Sequence, residues 1–174
     1  LTLTNSTVRN NREDDTGGGG IYNNGTMTLV STNVSGNTCG DNAGAGIANR
    51  SVMTLTNSTI SDNICEGGRG GGIFNDGTLT LTNSTLSGNL SSWVGGGIFN
   101  WGTVTLTNST LEGNWGGGIT NEGGTVTIAS SIIANSFNGG NCSGEIISQG
   151  DNLSSDNTCV TTNRTLNDRN NTDP

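Results

Sequence analysis

Along most of this chain apolar and polar residues alternate one for one, in short bursts that return every 22–26 residues. The clearest burst, Gly77 to Thr82, reads G-T-L-T-L-T. Strict alternation marks a strand with one apolar face. The burst lies in the unit GGGIFNDGTLTLTNSTLSGN, residues 70–89, and most of the chain repeats that unit. Aligned on the Asn-Ser-Thr tract, Asn5, Ser31, Asn57, Asn83, Asn108 and Ser130 share one column, at steps of 26, 26, 26, 25 and 22 residues.

Stacking the copies brings the apolar positions into register. The column of Leu81 holds Leu3, Leu29, Leu55, Leu106 and Ile128, and that of Leu79 holds Leu1, Met27, Met53, Val104 and Val126. Two more run through Ile21, Ile47, Ile73, Ile98 and Ile119, and through Val8, Val34, Ile60, Leu86, Leu111 and Ile133. Thr, Ser and Asn fill the gaps, so the apolar side chains are expected to point into a tube and the Thr side chains out. A repeat of this length is one coil that must stack on its neighbours to bury its core. No segment carries a sustained 3.6-residue period, and Gly interrupts most stretches a helix would need. The expected fold is all-β: a right-handed parallel β-helix with triangular coils, each of three short strands and three turns. The hand follows from the general preference for right-handed parallel crossovers. A leucine-rich horseshoe is the rival, but its L-x-x-L-x-L pattern and helical half are missing.

Two Asn columns mark the bends. Asn23, Asn49, Asn75, Asn100 and Asn121 follow the Ile strand, and Asn11, Asn37, Asn63, Asn89, Asn114 and Asn135 close the unit. Asn tolerates left-handed turns and can bond to its own copy one coil away. The expectation is a stacking ladder rather than a set of ligand contacts.

Composition changes this picture in two ways. The hydrophobic fraction is 29%, against about 45–50% for globular chains, and alone it would suggest disorder. The aligned columns overrule that, because a narrow tube needs few inward residues per coil. Residues 1–159 are expected to form one elongated domain, with a last strand-like run at Glu145–Ser148. Residues 160–174, polar and aperiodic, read as an irregular tail or linker. The chain opens in mid-strand at Leu1, as a piece of a longer precursor would. A net charge of −8 makes nucleic acid and anionic membrane poor partners. No apolar run reaches the length of a membrane span, so no membrane insertion is expected. All six basic residues are Arg, with no His or Lys, which excludes His acid–base or metal chemistry and Lys Schiff bases.

Candidate chemistry is confined to a few places. Glu13, Asp14 and Asp15 fill the loop before the first Gly run, and the same loop later carries Asp41 and Glu66. Asp15 and Asp41 share a column, as do Asp14 and Glu66. With coils roughly 4.8 Å apart, Asp14, Asp15, Asp41 and Glu66 offer a Ca²⁺ site, since hard cations take several oxygen ligands. A solvated loop beside Arg12 and Arg69 is the plainer reading. No other cofactor is expected. Tyr22, Phe74 and Phe99 form an outward-leaning column, followed by Trp101, and Trp93 lies in a loop. Trp93, Trp101 and Phe99 are candidates for stacking on a glycan, or for covering a sheet corner. Trp115 occupies the column of Ile64 and Leu90 and is expected in the core.

The cysteines follow the register. Cys39 and Cys65 each lie two residues after a closing Asn and are 26 residues apart. One coil apart, their Cα atoms would stack at about 5 Å, inside the disulfide window. Cys142 and Cys159 are left as the second pair. Free buried thiols are the alternative.

The repeat GGGIxNxGTLTLTNSTxSGN, with the trailing NCSG…SQGDNLSSDNTC…NTDP, resembles the secreted bacterial choice-of-anchor Q domain proteins, which are similar to large polymorphic β-helix surface proteins. The resemblance spans residues 1–174. It implies a parallel β-helix, export and residence at the bacterial cell surface, and it supplies no catalytic or binding residue.

Three functions follow as expectations. The first is a non-catalytic extracellular structural or adhesive module, with self-association, neighbouring modules of the same precursor or an extracellular glycan as partners. The second is ice binding by an exposed Thr ladder of Thr2, Thr28, Thr54, Thr80, Thr105 and Thr127, which resembles the Thr arrays of insect antifreeze β-solenoids. The third is a polysaccharide lyase or hydrolase using the acidic loop, with Arg12 or Arg69 as charge stabiliser. The missing His and the acid-free strand faces count against the third.

Overall fold

The computed structural model describes residues 1–15, 17–40, 44–159 and 167–174. It is an all-β solenoid of parallel sheets, and no helix occurs among the described residues. The register follows the repeat. Thr26–Val30 pairs in parallel with Val52–Thr56, placing Met27 on Met53 and Leu29 on Leu55. Thr78–Thr82, Thr103–Thr107 and Thr125–Ala129 continue the same sheet. The alternation explains the inside of the tube: Leu29, Met53, Leu55, Leu79, Leu81, Val104 and Leu106 are buried, while the threonines between them stay partly or fully exposed.

Each complete coil uses four strands rather than the three expected. The long Thr-rich strands make a seven-stranded sheet, and the strands after them, such as Thr59–Ser61, make a second. Two-residue strands such as Thr38–Cys39 and Ile64–Cys65 form a four-stranded sheet, and the Ile-x-Asn strands such as Ile73–Asn75 a six-stranded one. Two residues are too few for alternation to show, which is why the short sheet escapes a sequence pattern.

The corners explain the Asn-Ser-Thr tract. Asn5, Ser31, Asn57, Asn83, Asn108 and Ser130 all have φ between 48° and 52°, the left-handed conformation that Asn accepts more readily than most residues. The next residue turns inward and builds a ladder. The backbone N–H of Thr32 donates to Ser58 Oγ at 3.1 Å, and Ser58, Ser84 and Ser109 each donate to the Ser of the next coil at 3.2 Å. Ser131 then donates to Asn152 Oδ1 and Asn152 to Asp168 Oδ1.

A second ladder runs through the closing Asn residues. Asn37, buried, donates from both its backbone N and Nδ2 to Asn63 Oδ1, at 3.0 Å each, and Asn63 does the same to Asn89. Asn23, Asn49, Asn75, Asn100 and Asn121 form a third, Nδ2 to Oδ1 at 2.7–2.9 Å. In all three the N-terminal coil donates and the C-terminal coil accepts. The Gly runs let the coils close on each other: a Cβ on Gly72 would lie 2.6 Å from the Gly97 carbonyl oxygen.

The end of the stack departs from expectation at two points. Trp115 bridges to Phe137, so Asn114 lies over Ser136, and Asn135 takes the preceding left-handed corner with φ 52°. The closing column therefore ends in Ser136, whose buried Oγ has no hydrogen-bond partner. The second point is the tail. Arg169 bridges to Leu153, and backbone bonds tie Ser154 to Arg169 and Asn171 to Asp156, so residues 167–174 extend the stack.

The ladder predicts unequal costs for similar changes. Asn63→Ala would strip Asn37 of its acceptor and Val34 of the Asn63 Nδ2 donor, a loss of about 3 kcal/mol or more at a buried site. Ser136→Ala removes an atom that bonds to nothing and should cost at most about 0.5 kcal/mol. Denaturant midpoints of the two variants against the parent test this.

Candidate functional site

Two outer faces carry the expected site residues. On the Thr-rich sheet, Thr2, Thr28, Thr54, Thr80, Thr105 and Thr127 lie in direct register across six strands. Val30, Val52 and Ala129 interrupt the flanking columns. The strand spacing sets hydroxyl–methyl groups roughly 4.8 Å apart along the stack and about 6.7 Å apart along each strand. The result is a regular, uncharged array.

The second face is the outside of the Ile-x-Asn sheet. Ile73 and Asn75 point inward, so Phe74 between them faces out, as does Phe99 one coil on. Of the three expected stacking residues, Phe99 is corrected here: it is 0% exposed, and Phe74 beside it is also buried. Their rings stack at 5.6 Å, and Trp101 meets both edge to face at 5.4 and 5.2 Å. Arg69 closes the cluster. Its guanidinium carbon lies 4.8 Å from the Phe99 centroid, 5.3 Å from Trp101 and 5.8 Å from Trp93, within cation–π range of all three. Trp93 (58%) and Trp101 (44%) remain exposed.

Charged residues surround these rings. Glu122 Oε2 is 3.5 Å from Arg69 Nη1, and Arg50 pairs with Asp76 at 3.3 Å while lying over Phe74. Sequence reading missed Arg50, Asp76 and Glu122 as members of this site. The signal was available: the position after each ladder Asn reads Asn24, Arg50, Asp76, Trp101, Glu122, varied where neighbouring columns repeat.

Trp115 requires a second correction. It sits in the column of Ile64 and Leu90 as expected, but that column faces outward and Trp115 is 48% exposed, against Phe137 at 6.4 Å. In the short strands the inward positions belong to Asn63 and Cys65. Cys65 bonds to Cys39 with Cα atoms 4.7 Å apart, and with Ala45 they form a small core of their own. Cys142 pairs with Cys159 at 4.8 Å. The first link is the one the register requires, and the second joins the two cysteines left over.

In the acidic loop, Asp14 and Glu66 share a column with Gly40 between them. Both lean to Arg12, at 2.8 and 3.7 Å. Asp15 donates its backbone N–H to Glu13 Oε1, and Asp41 lies outside the described residues. Among the described residues no group of three or more acidic or Cys side chains is placed to hold a metal ion. Comparison with protein-family models, with curated proteins and with solved structures finds no match in any of the three.

One carboxylate has an altered proton affinity. Partial burial pushes the Asp156 pKa up, but hydrogen bonds from the Thr158 hydroxyl and backbone, the Asn141 backbone and the Ser154 hydroxyl outweigh it and hold the pKa below its ordinary value. A depressed folded pKa stabilises the fold fully above the unfolded value of about 3.9, and this contribution is lost as pH falls through the folded value. Thermal melts in that acid range should show the parent losing a stability advantage over Asp156→Asn that it holds at neutral pH.

Proposed function

We propose that the chain is a non-catalytic structural or adhesive module of a bacterial surface protein, working outside the cell. The observation that carries this reading is covalent and hydrogen-bonded stitching between successive coils. Three side-chain ladders join coil to coil, and Cys39–Cys65 ties adjacent coils. Such disulfides fit an oxidising compartment, and the resemblance of the repeat to secreted β-helix surface proteins points the same way. A solenoid of this kind gives a stiff, extended body whose coils contact only their neighbours. Surface biotinylation of cells producing the full protein should label it, and non-reducing peptide maps should show Cys39–Cys65 and Cys142–Cys159. A reduced, cytosolic protein would end this reading.

The unbroken Thr column favours a second reading, binding of ice. A flat, rigid array of methyl and hydroxyl groups at a lattice-like spacing suits an ordered water surface. Under this reading Thr80→Tyr, at the middle of the array, sharply reduces thermal hysteresis and leaves stability within about 0.5 kcal/mol. Hysteresis absent from the parent protein at high concentration would rule it out.

A further inference from the structure

We propose that the cluster of Trp93, Trp101 and Arg69 is a binding site for a neutral polysaccharide. The inference rests on the extracellular reading, since such polymers are met outside the cell. It begins with an asymmetry between faces. The Thr-rich sheet presents one residue type coil after coil, whereas the column through Arg50, Asp76, Trp101 and Glu122 repeats nothing. These side chains point away from the tube, so stacking of the coils does not need them to be alike or to be large. The seven aromatic residues of the chain are distributed accordingly: Phe74, Trp93, Phe99 and Trp101 gather at this one place.

The chemistry identifies the ligand class. Trp93 and Trp101 are both exposed, and their ring centroids lie 5.8 and 5.3 Å from the Arg69 guanidinium carbon. An indole face offers apolar area to the C–H face of a pyranose ring. Guanidinium N–H groups donate to hydroxyls, and the Glu122 carboxylate accepts from them. A sugar hydroxyl, being donor and acceptor at once, can use both partners of the Arg69–Glu122 pair without separating a charge. Arg50 and Arg69 are balanced by Asp76 and Glu122, so the patch has no net pull on an anion. The net charge of −8 repels polyanions at long range. A neutral, hydroxyl-rich polymer meets all of these conditions and an acidic one does not.

The site is also held in shape before any ligand arrives. Phe99 is buried beneath Trp101, stacks on Phe74 and lies under the Arg69 guanidinium. Less freedom is then lost on binding than at a mobile loop.

The test uses the purified full chain in native affinity gels and calorimetry with hydroxyethylcellulose, galactomannan and soluble starch, and with polygalacturonate as the acidic comparison. At least one neutral polymer is expected to retard the protein. Trp93→Ala and Trp101→Ala should each weaken that binding by about tenfold or more, and Trp115→Ala, an exposed Trp on another face, should leave it unchanged. Unaltered thermal midpoints establish that the variants fold. If Trp101→Ala does not fold, Trp93→Ala and Glu122→Gln decide. Retardation by no neutral polymer, retardation by polygalacturonate alone, or an equal loss in Trp115→Ala overturns the proposal. Surface labelling and peptide mapping judge the extracellular reading separately, so the two can fail independently.

Discussion

The structure depends on the hydrogen bond between one coil and the next. Backbone groups supply most of these bonds along the strands, but at the corners the strands stop and buried polar groups would be orphaned. Inward Asn and Ser side chains fill that gap, each accepting from the coil before it, and each Asn amide also donating to the coil after. An unpaired buried amide costs about as much as several surface contacts gain. That is why the corner residues repeat as strictly as the core, and why so small an apolar fraction suffices.

Much of this was readable from the sequence because the fold is a translation. Once the step of 25–26 residues is known, Leu29 must meet Leu55 and Cys39 must meet Cys65, and they do. The parts that were not legible are those the translation does not determine. The strand at Thr38–Cys39 is two residues long and leaves no alternation to detect. The inward Ser58 column was hidden in a tract that looked like surface. Phe99 is covered by Arg69 and Trp101, residues that belong to other columns, so its burial depends on variation rather than on repetition. Trp115 was misplaced for a related reason: the column it shares with Ile64 and Leu90 read as core, while the strand's inward positions were already held by Asn and Cys.

Repetition and variation therefore divide the molecule's work. The tube, the corners and the Thr sheet are built from columns of a few similar residue types, and they set spacing and stiffness. The face outside the Ile-x-Asn strands carries the Arg50–Asp76 and Arg69–Glu122 pairs and the aromatic cluster. A solenoid permits this because an outward side chain can change in one coil without altering the contacts that hold its neighbours. Recognition chemistry can then be placed at one height along a uniform shaft.

The common direction of the three ladders gives the tube an electrical polarity that parallel sheets alone do not have. Each Asn amide lies with its oxygen toward the N-terminal coil and its N–H toward the C-terminal one, and such aligned dipoles add as peptide dipoles do in a helix. Their positive end falls on the last coils. The Ser ladder finishes there against a carboxylate, Asp168 accepting from the backbone N–H and Nδ2 of Asn152. A shaft with no helix among its described residues thus carries its own macrodipole, with negative charge seated at the end where it is most favourable.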